Sequence, residues 1–116
     1  MSHEKFQSCI DACLACAVEC NHCATACLQE QEVQMLARCI KLDLDCAQIC
    51  SLAADYMARS SEYARQICDL CAQICDACAA ECEKHASHHD HCRACAEACR
   101  RCAEECRSMM SMSSSM

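Results

Sequence analysis

The sequence predicts an all-α protein, an antiparallel up-down-up-down four-helix bundle with a cysteine-lined core. Two observations predict it. The 116 residues include no Gly and no Pro, which removes the usual turn formers of hairpins, sandwiches and small disulfide scaffolds. The 19 cysteines alternate at spacings of three and four residues, which places each above the last on one face of an α-helix. They stand at Cys9, Cys13, Cys16, Cys20, Cys23, Cys27, Cys39, Cys46, Cys50, Cys68, Cys71, Cys75, Cys78, Cys82, Cys92, Cys95, Cys99, Cys102 and Cys106. Of the eighteen gaps between them, fourteen are 3 or 4 residues and one is 7; the others are 12, 18 and 10. Three breaks make four helices.

The first helix is expected over residues 3–29, with Ser2 as its N-cap, and the first turn falls at Gln29-Glu30-Gln31-Glu32. The second spans 33–58, with a sparser inner set of Leu36, Cys39, Asp43, Cys46, Cys50, Ala53 and Met57. Ser60 or Ser61 caps the third, which continues to Lys84. Ser87, followed three residues later by Asp90, resembles a capping box and opens the fourth, which lasts to Arg107. Residues 1–107 therefore form one Cys-rich bundle, and 108–116 a flexible Ser/Met-rich tail. Short polar turns between helices of this length favour antiparallel neighbours, and the cysteines occupy the inward a and d positions.

Composition excludes several function classes. A formal net charge of −7 argues against a nucleic-acid partner, which calls for a basic patch. No run of 18 apolar residues spans a membrane. The N-terminal Met1-Ser2-His3-Glu4-Lys5-Phe6-Gln7-Ser8-Cys9 has no apolar stretch or small-residue cleavage site. The expectation is a cytosolic chain with reduced thiols.

The core is wrong for a purely structural bundle. Between Cys92 and Cys106 there is no Leu, Ile, Val or aromatic residue. Each Cys in place of Leu gives up on the order of 1 kcal/mol of apolar burial, against a domain stability of ~5–15 kcal/mol. A disulfide framework fails because i,i+3 and i,i+4 neighbours stand about 5–6 Å apart at Cβ, beyond the ~3.5–4.5 Å of a disulfide. Iron–sulfur clusters use thiolates converging around a loop. A thiol oxidoreductase singles out one low-pKa Cys at a helix N-terminus, and no other catalytic constellation is visible, so no enzyme is expected. Zinc or cadmium fits the ligand type but needs four converging sulfurs per ion. Copper(I) is soft and needs few ligands, so a continuous stripe with shared thiolates suits it best. A metal store follows, with zinc or cadmium buffering as the alternative that sequence alone leaves open.

The ends of the bundle supply accessory candidates. The mouth formed by the first and third turns should gather Cys27, Met35, Cys39, Cys82, His85, His88, His89, His91 and Cys92. Of these, His85 and His88 extend the inner stripes by spacing, and with His89 they are the expected imidazole ligands for entering ions. At the opposite end Met57 is either a thioether ligand or a gap-filling plug, accompanied by Met109 or Met110. Asp43, a poor ligand for copper(I), is expected to be hydrated or ion-paired, and His22 solvated. Apolar residues beside the Cys face (Ile10, Leu14, Ile40, Leu44, Ile67 and Ile74) suggest an interface on the first two helices.

The C-x3-C-x2-C-x3-C stripes, Cys20-Asn21-His22-Cys23 and the His-rich turn before Cys92 together resemble the copper storage proteins, Cys-rich four-helix bundles, over residues 6–110. The N-terminus is similar to the cytosolic branch of that family. The resemblance implies a homotetramer in which every bundle holds many copper(I) ions, with all nineteen cysteines as ligands. The Ser/Met tail departs from the family pattern.

Overall fold

The computed structural model describes residues 6–114, with side chains to Ser111. The expected start at His3 and its Ser2 cap lie outside the described residues, as do Ser115 and Met116. Four helices follow in order: α1 (Gln7–Leu28), α2 (Ala37–Ala58), α3 (Ala64–Glu83) and α4 (Asp90–Ser114). Each packs on its neighbours in the chain, and α4 closes the ring against α1. Cys9 on α1 meets Cys106 on α4, while Cys27 meets Cys92; α2 and α3 likewise cross-pair Cys39 with Cys82 and Cys50 with Cys71. Neighbouring helices are therefore antiparallel. The bundle measures 49 × 18 × 17 Å.

A second stripe makes this slender section. Ala17 and Ala24, Ala47 and Ala54, Ala72 and Ala79, and Ala96 and Ala103 are buried pairs seven residues apart on the four helices. Most follow a Cys directly in sequence. Interaxial distance depends on the side chains at the contact, so methyl groups beside the thiols let the four backbones draw close.

The helix ends differ from the expected caps. Residues Val33–Leu36 form a 3-10 turn before α2, and Leu36 plugs the core while Met35 is turned out at 69% exposure. Ser61 Oγ accepts the Tyr63 N–H at 3.1 Å, organising the approach to α3 one turn before it starts. The Ser87–Asp90 box does not form. Backbone N–H groups of His88 and His89 bond the His85 carbonyl instead, and α4 begins at Asp90, whose charge suits a helix N-terminus. The helix also does not end at Arg107. It runs to Ser114, and Met109, three residues beyond Cys106, continues the inner stripe at 1% exposure.

The α2–α3 turn shows how a chain without Gly reverses. Ser61 N–H bonds the Tyr56 carbonyl at 2.9 Å and Ser60 N–H bonds the Met57 carbonyl at 3.0 Å, the two bonds of a Schellman motif. The left-handed residue between them is Ser60, with φ 54°, where Gly is usual. Ser60→Gly should therefore stabilise the fold by on the order of 1 kcal/mol, read as a higher urea midpoint at unchanged slope.

Candidate metal centre

The cysteine stripes converge on the bundle axis. All nineteen cysteines are buried and unpaired as disulfides, and eighteen of them are wholly without solvent exposure. Adjacent Sγ atoms stand 3.5–4.0 Å apart, both along a helix and between helices. Cys16, for example, has sulfur neighbours on its own helix (Cys20), on α2 (Cys46) and on α4 (Cys99) at 3.7–3.8 Å.

Sets of four sulfurs lie within 4.8 Å of one another, such as Cys13, Cys71, Cys102 and Cys106 near the far end and Cys23, Cys27, Cys39 and Cys92 near the mouth. Between them, the sets Cys16/Cys46/Cys50/Cys75, Cys16/Cys20/Cys46/Cys99 and Cys20/Cys78/Cys95/Cys99 share members. The sets thus run into one another along the middle of the column, where Cys16, Cys20, Cys46 and Cys99 each belong to two of them and can bridge two ions.

Without metal, charging neighbouring thiols together is costly. Two thiolates 4 Å apart repel by about 4 kcal/mol even at an effective dielectric constant of ~20, and burial penalises each charge separately. Burial and the neighbouring Cys39 push Cys27 up to about 12. Cys68 is raised by the Cys106 and Cys9 sulfurs beside it and by desolvation. A soft cation that takes the place of each proton lifts both penalties.

Asp43 faces thiols and not solvent or, among the described residues, a cation, unlike the expected hydrated or ion-paired carboxylate. It has no solvent exposure. Its Oδ1 accepts Sγ–H bonds from Cys78 and Cys95, both at 3.2 Å, and from Cys82 at 3.7 Å, while Oδ2 lies 3.8 Å from Cys39. Desolvation by burial among the sulfurs of the column pushes its pKa up to about 11. A neutral acid therefore sits in the sulfur column, between the mouth set and the deeper sets.

At the mouth the histidines are sorted differently from their spacing. His85 Nε2 pairs with Glu81 at 3.1 Å, and that carboxylate also faces Lys84 and Arg38. His88 is exposed, as is His22. Neither His85 nor His88 extends the thiol column, because α3 has ended and α4 has not begun where they stand. His91 does reach it: its Nδ1 lies 3.6, 3.8 and 3.6 Å from the sulfurs of Cys23, Cys27 and Cys92. Its Nε2 bonds Glu30 at 2.9 Å, and this contact holds the Glu30 carboxyl below its usual range. His89 stacks on His91 and also meets Glu30, at 3.2 Å. The far end is closed by Met57 and Met109, both buried in the core.

This geometry, soft ligands in shared sets around a dry axis, coincides with a family match. Residues 2–111 match the family model described as copper storage protein. The chain belongs to the copper storage protein family. It is 52% identical to the Cu(I)-bound copper storage protein BsCsp3, over 91% of this chain and 98% of that one, with a TM-score of 0.86. A cytosolic copper storage protein from Streptomyces lividans, solved with five coppers, is 42% identical over 95% of each chain with a TM-score of 0.90. The uncharacterized cysteine-rich protein YhjQ of Bacillus subtilis (strain 168) is 53% identical over 51 residues, which are 44% of this chain and 47% of that protein. The match thus spans less than half of that relative's length.

Asp43 supplies a pH test of the metal-free bundle. Between pH 5 and 8 an unfolded Asp is ionised while the folded one keeps its proton, so the native state binds more protons and stability falls as pH rises. Asp43→Asn, which copies the neutral acid in shape, should flatten this fall by up to ~1.4 kcal/mol per pH unit. Urea melts of both proteins at pH 5, 6.5 and 8 check it; parallel pH dependences would mean Asp43 is ionised in the fold.

Proposed function

We propose that this chain stores copper(I) in the cytosol, binding many ions along the nineteen-cysteine column, with His91 as the imidazole ligand at the mouth. The observation that carries the reading is the sharing of sulfurs between successive four-sulfur sets, within a chain of the copper storage protein family. Sulfur sharing suits a soft ion content with few ligands and gives a capacity beyond any catalytic need. Storage, not turnover, is the work of such a column. The far-end Met57 adds a thioether to the same buried space, and His89 stands beside His91 as an outer imidazole.

Charge favours copper over zinc. A zinc tetrahedron with ~2.3 Å bonds has sulfur–sulfur edges of about 3.8 Å, so the spacing alone admits either metal. An isolated four-thiolate zinc site, however, leaves two negative charges in a dry interior, where uncompensated charge is costly. One copper(I) per thiolate replaces one proton by one cation and leaves the column neutral. Cytosolic placement is supported by the likeness to the Streptomyces lividans protein and by the use of reduced thiols; among the described residues no helix is long and apolar enough to cross a membrane.

Anaerobic loading in weak buffer tests the metal. The expected result is more than about ten coppers per chain with close to one proton released per ion, a sharply raised melting temperature, and no displacement by equimolar zinc. Saturation at four or five ions, with zinc competing equally, would instead make the chain a zinc buffer.

We also propose that copies assemble, as a homotetramer, through the α1 and α2 side. Leu14 and Val18 on α1 and Leu44 and Leu52 on α2 are 38–66% exposed; Ile10 is buried, and Ile40, Ile67 and Ile74 pack partly against the core. The outer side of α4 is charged, with Arg100 held by Glu83 and Asp76 and Arg107 by Asp76. Sedimentation should give a multiple of the 12.8 kDa chain mass, and Leu14→Glu with Leu44→Glu should shift it to one chain with helicity unchanged.

A further inference from the structure

Glu30 lies in the turn after α1, outside the thiol column, yet its carboxylate gathers the two histidines that border the mouth. Oε2 is 2.9 Å from His91 Nε2 and 3.2 Å from His89 Nδ1, and the two rings stack with centroids 5.2 Å apart. On its other edge, the His91 ring turns Nδ1 towards Cys23, Cys27 and Cys92 at 3.6–3.8 Å. One imidazole therefore spans a carboxylate and three thiols. A neutral imidazole has one N–H and one lone pair, and a carboxylate can only accept. With the N–H committed to Glu30, the lone pair at Nδ1 faces the sulfurs. Carboxylates that hold the far nitrogen of a ligating histidine fix its tautomer and orientation in this way.

We propose that Glu30 is the positioning residue of the mouth: it holds His91 as the Nε2–H tautomer, with Nδ1 aimed at the Cys23/Cys27/Cys92 sulfurs, so that the first copper(I) meets a preformed site of one imidazole and thiolates. The inference rests on the reading of the column as a copper store. Glu30 also ties the α1–α2 turn to the start of α4, and a merely structural tie would alter stability without altering the imidazole.

The test uses the full chain with Glu30→Ala and Glu30→Gln, the amide keeping the size and an accepting oxygen. In the metal-free proteins, 15N-edited NMR of the His91 ring should show the Nε2–H form in the parent and in Glu30→Gln, and a tautomer mixture in Glu30→Ala. Stopped-flow loading with a copper(I) donor should show first-copper uptake slowed about tenfold in Glu30→Ala and less in Glu30→Gln, at equal final capacity. In a His91→Ala background, Glu30→Ala should add no further slowing. An unchanged His91 tautomer, or slowing that persists in the His91→Ala background, would overturn the proposal. Failure of the storage reading is separately visible as low final copper content, because the tautomer is read before any metal is added.

Discussion

Sulfur atoms 3.5–4.0 Å apart along a dry axis can all be neutral together but cannot all be charged together, and the rest of the molecule follows from that constraint. With protons in place the thiols behave as small apolar side chains and complete a core. Stripped of protons without a cation, the same core would carry up to nineteen buried charges. Metal-free and loaded states are therefore two neutral fillings of one space. Helices suit the task because they satisfy their own backbone groups, leaving the axis to side chains alone.

Asp43 shows the same rule applied to a carboxyl. Placed among Cys78, Cys95, Cys82 and Cys39, it has no cation beside it among the described residues and no solvent exposure, so it keeps its proton and accepts Sγ–H bonds. Glu81, near the surface, takes the other course. Although partial burial works against it, His85 and Lys84 hold its carboxylate charged. Two acids in one bundle thus differ in state according to whether a counter-charge can reach them.

The fold was legible in the cysteines because a spacing of three and four maps directly onto one helical face, and nothing in the chain competes with helix. Legibility stopped where helical periodicity stops. His85 and His88 keep the stripe's spacing from Cys82 and Cys92, but they stand in the turn between α3 and α4, so the extrapolated face no longer exists there. His91, adjacent to Cys92 in sequence, should have pointed away from the stripe by the same rule. It sits instead on the first turn of α4, where Glu30 draws its far nitrogen outward and leaves the near one on the thiols. That carboxylate comes from a turn 61 residues away, and no local pattern announces it. The buried Met109 is the opposite case: its three-residue step from Cys106 was a readable signal, masked by the Ser/Met composition around it. Asp43 was read as charged because isolated acids are, and only its neighbours reveal otherwise.

The heptad-spaced alanines give the bundle its gauge. Ala17, Ala24, Ala47, Ala54, Ala72, Ala79, Ala96 and Ala103 touch no ion in any reading of the site, yet their methyl groups set how near the four backbones approach, and the backbones set where each sulfur stands. Sulfur spacing is in this sense written in carbon. A lineage that enlarged one of these methyls would keep every ligand and every helix while pushing two rods apart, and the bore would lose its calibre over the neighbouring turns. The residues most exacting about copper in such a tube are then ones that never meet it.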